Sequence, residues 1–268
     1  MLGVVIALLA AAILVVNLSM GERTSPPALA ESEDGDAIAV NRPAGNKNDK
    51  DPSNASASPE AVKPPQIGAG KTVVLDPGHG GEDPGAVSSY SGAKEKDITL
   101  IIANKAKALL ESAGYKVIMT RTEDVLAYDD EDVSMTRKRR QDLLKRKKLM
   151  DESGADIVVS IHLNSFTDDS YSGAQVFYTK ESLSSKKLAA SLQSALKETL
   201  DPQNEREALL KSEDIIITKN CRITTVIAEC GFLSNQAEES RLCTEAYQDK
   251  IAEALKSGID AYFTAPAS

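Results

Sequence analysis

Only two histidines occur in the 268 residues, and each stands among residues suited to chemistry. His79 sits within Asp76-Pro-Gly-His-Gly-Gly-Glu-Asp-Pro-Gly85, and His162 within Ser160-Ile-His-Leu-Asn-Ser165, directly after an apolar run. Glycines beside His79 allow a tight loop to bring its imidazole against another group. A surface-loop histidine is the lesser alternative for His79, whereas His162 taken alone reads as a satisfied core histidine. Two imidazoles and a carboxylate, however, suit a catalytic zinc, which takes three protein ligands and keeps one position open. Glu95 is the candidate third ligand, at a helix start that Gly92-Ala93 allows to turn back. Glu82, Asp83 and Asp97 compete with it, and a first-turn acid is also favoured by the helix dipole alone. Glu229, in Val226-Ile-Ala-Glu-Cys-Gly-Phe-Leu-Ser-Asn235, is a carboxylate closing an apolar strand. Such a group is costly unless paired or functional. Desolvation moves its pKa toward neutrality, where a general base works best; a buried pair with Lys or Arg is the alternative.

The pattern of elements must bring these residues together. Apolar runs predict strands at 71–76, 115–120, 156–161, 174–179, 214–218 and 225–228. Helical spacing predicts helices over 95–112, 134–152, 182–200, 235–242 and 244–263. The alternation implies an α/β fold, with an about six-stranded, mostly parallel sheet and helices on both faces. Sites in such sheets lie at the carboxyl ends of strands. His79 follows the first predicted strand, His162 ends the third and Glu229 ends the sixth. No internal repeat is present.

The N-terminal part is of another kind. Residues 2–16 are unbroken apolar sequence with no Lys or Arg before them. A spanning helix needs about 17–25 such residues, so residues 1–20 read as a short membrane anchor or an export signal, with Ala28-Leu-Ala30 as a small-x-small cleavage pattern. Residues 21–69 hold no aromatic residue and most of the prolines, the composition of a flexible linker. Residues 70–265 remain as one domain.

Several features point elsewhere with less force. Residues 137–148 hold eight bases in twelve positions, read as a solvated helix face with Leu143, Leu144 and Leu149 turned to the core, or as a patch for an anionic partner. The net charge of −9 argues against a nucleic-acid partner. Asp129–Asp132 reads as a solvated loop, without EF-hand spacing. Cys221, Cys230 and Cys243 show no metal-binding spacing. Cys230 could serve a cysteine hydrolase with His162, though a buried small apolar role fits better. A Cys221–Cys243 disulfide is open.

Four separated blocks in one order resemble the zinc-dependent N-acetylmuramoyl-L-alanine amidases of the amidase-3 type. They are the strand followed by DPGHGG-x-DPGA, the Glu-Lys-Asp helix start, Ser-Ile-His-x-Asn, and Glu-Cys-Gly-Phe-Leu-Ser-Asn. The resemblance covers residues 71–263. It implies one Zn2+ held by His79, Glu95 and His162, and Glu229 as the catalytic glutamate. It further implies hydrolysis of the bond between muramic acid and L-alanine of peptidoglycan stem peptides. The leader, residues 134–149 and residues 172–178 resemble the sporulation members of the family. They imply export, a role in spore cortex maturation through muramic lactam formation, and a place in the space around the developing spore. Asn164 and Arg206 are candidate substrate contacts, Arg206 for a carboxylate of the peptide, with a plain surface arginine as the alternative. A regulatory protein partner is an expectation with no sequence motif behind it. The rival readings are a non-catalytic peptidoglycan-binding module and a zinc peptidase cutting within the stem peptide; His-Glu-x-x-His is absent.

Overall fold

A computed structural model describes residues 66–179, 182–211, 215–219 and 221–266. The apolar segment, and the linker up to residue 65, lie outside the described residues. Among those described, no helix is long and apolar enough to cross a membrane.

Six strands, β1 (Thr72–Pro77), β2 (Lys116–Met119), β3 (Ile157–Asn164), β4 (Gln175–Thr179), β5 (Leu209–Lys211) and β6 (Thr224–Phe232), form one sheet in the order β2-β1-β3-β6-β4-β5. All neighbours are parallel except β4 and β6, which run antiparallel. The helices are α1 (Glu95–Ser112), α2 (Met135–Glu152), α3 (Leu183–Leu200), α4 (Gln236–Leu242) and α5 (Glu245–Thr264).

The helix starts follow from capping chemistry. The Ser182, Asn235 and Thr244 side chains each accept a hydrogen bond from the amide three residues on. The Asn-x-x-Glu pattern at α4 is used differently from a reciprocal capping box: the Glu238 carboxylate accepts from the Phe232 amide, at 2.8 Å. It thereby ties the helix to the end of β6.

Alternation along the strands sorts the side chains onto two unlike faces. Val73, Leu75, Val159, Ile161, Val176, Val226 and Ala228 meet α1, α3 and α5 in one continuous apolar cluster. On the other face Val74 and Val158 meet Met150 of α2 and Ile217 in a much smaller one. The mostly parallel sheet with helices on both faces is therefore as expected.

Two expectations are corrected. The strand expected at 214–218 is not one: residues 215–219 form a turn in which the Thr218 and Lys219 amides donate to the Ile215 carbonyl, and Asp214 lies outside the described residues. The fifth strand is instead Leu209–Lys211, a three-residue edge strand with exposed leucines. The basic helix α2 is also not simply solvated. Leu143 and Leu149 do pack against the smaller apolar cluster, but Leu144 is 45% exposed and the buried row is Lys138, Asp142, Arg146 and Met150. That i, i+4, i+8, i+12 spacing is one helix face, and most of it is charged.

Candidate active site

The loop after β1 carries His79, the only described non-glycine residue with positive φ, at 61°. Two buried arginines hold this loop by its backbone. Arg121 donates through Nε to Pro77 O at 3.0 Å and through Nη2 to Gly78 O at 2.9 Å. Arg146 of α2 donates to Pro77 O and to His79 O, both at 2.6 Å. Arg146 also pairs with Asp76 at 3.1 Å and Asp142 at 2.7 Å. Burial pushes the Asp76 carboxyl up, but Arg146 and the Ser160 and Thr120 hydroxyls outweigh it and hold the group below the usual range. Burial and the nearby Arg146 charge bring Arg121 down to about 10. It stays cationic at neutral pH, its remaining donors satisfied by Lys96 O and Glu123 O. The His79 backbone is thus fixed against its own conformational preference, as is common at functional sites.

Glu95 opens α1 and is 3% exposed. Its Oε1 lies 2.8 Å from His162 Nδ1, and its Oε2 lies 3.2 Å from His79 Nε2. Backbone amides of Leu163 and Ala86 donate to the same two oxygens, at 3.0 and 2.8 Å. One donor atom from each of His79, Glu95 and His162 falls within 4.8 Å of the others. The competing acids are elsewhere. Glu82 pairs with Lys138, at 3.0 Å, and Asp97 is exposed. Asp83 lies behind His79, with Oδ2 2.8 Å from Nδ1, and itself pairs with Arg139 at 2.7 Å. That contact turns Nε2 of His79 toward Glu95, an orienting role sequence spacing could not separate from direct ligation.

The glycines of the first motif are required by close approach. A Cβ at Gly78 would stand 2.4 Å from the His162 ring, and one at Gly85 would stand 2.4 Å from Glu95 Oε2. The donor set fits a divalent metal: two imidazoles face one buried carboxylate, and a second carboxylate backs His79. Burial opposes charge on His79, but the hydrogen bonds and charges of Asp83 and Glu95 outweigh it and raise the imidazole to about 10. The Asp83 and Glu95 carboxylates beside the imidazoles make the position favourable for a cation. Burial opposes the Glu95 anion too, yet the two histidines hold that carboxyl well below the usual range.

Glu229 lies in β6 rather than at its end, directly beside His162 of β3 in the parallel register. The register shifts after this pair, so that Asn164 meets Phe232. The extra residue on β6 is a bulge, with Gly231 at φ 150°; bulges commonly re-aim side chains beside active sites. Glu229 Oε2 is buried and accepts no hydrogen bond from the protein. Burial, and after it the Glu95 charge, push this carboxyl up, against the opposing pull of His162, Lys211 and His79. No Lys or Arg ion-pairs with Glu229 among the described residues, which sets aside the structural-pair alternative.

Asn164 ends β3, its Oδ1 accepting from Ser165 N at 2.9 Å. Arg206 lies in the stretch before β5 and donates to Ser172 O at 2.7 Å and to Gln175 Oε1 at 3.0 Å. All three cysteines are free. Cys230 is buried within the apolar cluster, on the face away from His162, and burial pushes its thiol up; a thiolate nucleophile does not fit.

Metal-binding donors beside a free, desolvated carboxylate equip a hydrolase of the metal-assisted kind. Residues 73–261 match the amidase-3 family, N-acetylmuramoyl-L-alanine amidase. The solved CwlD amidase from Clostridioides difficile, in complex with the GerS lipoprotein, is 44% identical, with a TM-score of 0.70 over 72% of this chain and 98% of that one. An N-acetylmuramoyl-L-alanine amidase from Clostridium difficile 630 is 31% identical, with a TM-score of 0.62 over 73% of this chain and 97% of that one. The germination-specific N-acetylmuramoyl-L-alanine amidase of Bacillus subtilis (strain 168) is 37% identical over 198 residues, covering 73% of this chain and 81% of that protein. The chain belongs to the amidase-3 family: it is an N-acetylmuramoyl-L-alanine amidase, a hydrolase of peptidoglycan. The rival reading of a non-catalytic binding module is set aside.

Proposed function

We propose that this amidase uses one zinc ion, held by His79, Glu95 and His162, with Glu229 as its general base, and that it trims peptidoglycan during spore cortex maturation. The observation that carries the site assignment is Glu229: a buried carboxylate oxygen without a protein partner, one strand from His162. Bound zinc would supply Lewis acidity toward water and the amide carbonyl.

The protein groups do the rest. Glu95, held by the Leu163 and Ala86 amides, would share the ion with the two imidazoles, and Asp83 sets the ring orientation of His79. Glu229, raised by burial, accepts the proton of the water that adds to the carbonyl carbon. It then returns that proton to the departing nitrogen of L-alanine, since an amide nitrogen leaves poorly unless protonated. The C–N bond breaks, and the lactyl carboxylate and a free amine result.

The spore role is supported by the likeness to the germination-specific relative. Removal of stem peptides exposes the lactyl carboxyl that a later lactam-forming step needs. Work on peptidoglycan implies export, with residues 1–20 as signal or anchor, residues 21–69 as tether and residues 70–265 as the catalytic domain. The CwlD relative was solved with a lipoprotein, which supports a protein partner for this chain as well. A partner selecting the metal-loaded form would raise metal affinity by mass action.

Purified peptidoglycan digested with the zinc-loaded protein should yield intact stem peptides with free L-alanine amino groups by mass spectrometry. Cuts within the peptide would overturn the reading in favour of a peptidase. A deletion strain whose spore cortex kept its normal muramic lactam content would overturn the cortex role alone.

A further inference from the structure

His162, Glu229 and Gln175 occupy one row across three neighbouring strands. Glu229 is the register partner of His162 on β3 and of Gln175 on β4. Directly paired residues share a face of the sheet, so the row continues from the candidate metal ligands past the base to Gln175. At its end stands Arg206. Its Nη1 donates to Gln175 Oε1 at 3.0 Å and its Nε to Ser172 O at 2.7 Å. Its guanidinium also sits 4.9 Å from the Phe232 ring centroid and 5.9 Å from that of Tyr171.

The backbone beneath is equally fixed. Asn204 accepts from the Arg206 amide at 3.0 Å and donates to Ala174 O at 2.8 Å. Gln175 donates to Glu207 O at 3.0 Å. The side-chain entropy of this arginine is therefore largely spent before any ligand arrives. Yet no carboxylate among the described residues pairs with it. Glu238, on which the Arg206 charge acts, is engaged by the Phe232 amide and by Arg241. Two hydrogen bonds use two of five N–H donors, so a fork suited to a carboxylate remains.

We propose that Arg206 is a specificity-determining residue that binds a carboxylate of the stem peptide on the leaving-group side of the scissile amide. The inference rests on the amidase reading with Glu229 at the reacting bond. Adjacent strands lie about 4.8 Å apart, which puts Gln175 one strand, and the Arg206 head about two strand spacings, from Glu229. An extended peptide covers about 3.5 Å per residue, so two spacings span the second to third residue, and the carboxylate we assign to Arg206 there is that of the acidic residue following L-alanine.

The test uses fluorescently labelled stem tripeptides, with that carboxylate free or converted to the carboxamide, binding to the full-length zinc-loaded protein and to its Arg206→Gln and Arg206→Lys variants. The wild type should bind the free acid about tenfold or more tightly than the amide, in line with one charge-assisted pair. Arg206→Gln should erase the preference by weakening only acid binding, and Arg206→Lys should restore part of it. No preference in the wild type, or an equal loss for both peptides in Arg206→Gln, overturns the proposal; the second result marks a loop staple. Because the readout is binding, a failure of Glu229 as base would appear separately, in hydrolysis.

Discussion

The two faces of the sheet are built on opposite principles. Toward α1, α3 and α5 the contacts are almost wholly apolar, from Leu75 and Ile161 to Leu192 and Leu255. Toward α2 the apolar cluster is small, and its centre is taken by Asp76, Arg121, Asp142 and Arg146. Apolar burial is non-directional and tolerates repacking. Hydrogen-bonded charges are directional and costly to leave incomplete. The first face supplies most of the folding free energy, and the second fixes the position of a loop whose backbone would otherwise relax.

The sharpest break in this comparison is at the site itself. Glu229→Gln keeps the shape of the side chain and should lower hydrolysis by about 10²–10⁴-fold. Metal content by atomic spectroscopy and the thermal midpoint should stay as in the wild type. Residual activity near the wild-type rate would remove Glu229 from the reaction.

The next test concerns the charged face. Arg146→Met leaves Asp76 and Asp142 without their cation, frees His79 O and leaves Pro77 O to Arg121 alone, at a cost of about 3–5 kcal/mol in urea unfolding. Zinc affinity of the folded fraction, measured by chelator competition, should fall too. The apolar counterpart, Leu192→Ala, should cost about 2–5 kcal/mol with zinc affinity unchanged. Equal losses of metal affinity in the two variants would dissolve the contrast.

The smallest effect is in pH. Asp76 has a depressed folded pKa, so its ionisation stabilises the fold fully above the unfolded carboxylate value near 4. That contribution is lost as pH falls through the folded pKa. Thermal midpoints followed from pH 6 downward should drop more steeply in the wild type than in Asp76→Asn. Parallel curves would show that the depressed carboxylate does not govern acid unfolding.

Much of this design is legible in the chain, and its gaps have physical causes. Helix α1 is evident because Ile98, Ile101, Ile102, Ala106 and Leu109 recur at helical spacing and Ala113-Gly114 follows, although Ile101 is exposed and Leu110 takes the buried place in the structure. The histidines announce themselves by rarity and by their place after β-branched runs. Strand β5 is missed because its leucines are exposed on an edge, so no burial pattern marks them. The competing Ile215–Thr218 run reads as a strand, although Ile217 is buried from within a turn. Arg121 and Arg146 are missed because charge ordinarily signals solvent. Their contacts to the His79 loop are to backbone carbonyls 43 to 69 residues away, which carry no side-chain signature. Asp83 has the spacing of a ligand in the sequence, and only geometry places it behind the imidazole.

The single antiparallel pairing in the sheet has one more consequence. Because β4 runs against β6, the chain leaves β3 and enters β4 at the same rim, the one that carries Glu229. Residues 165–174 therefore pass the end of β6 at that rim, where Phe166 N donates to Ser234 Oγ and Asp169 O accepts from Asn235. Ala174 belongs to the apolar cluster and Ser172 O is held by Arg206, so exchanges confined to residues 167–170 would alter this rim while the interior packing and the His79, Glu95 and His162 cluster stay in place.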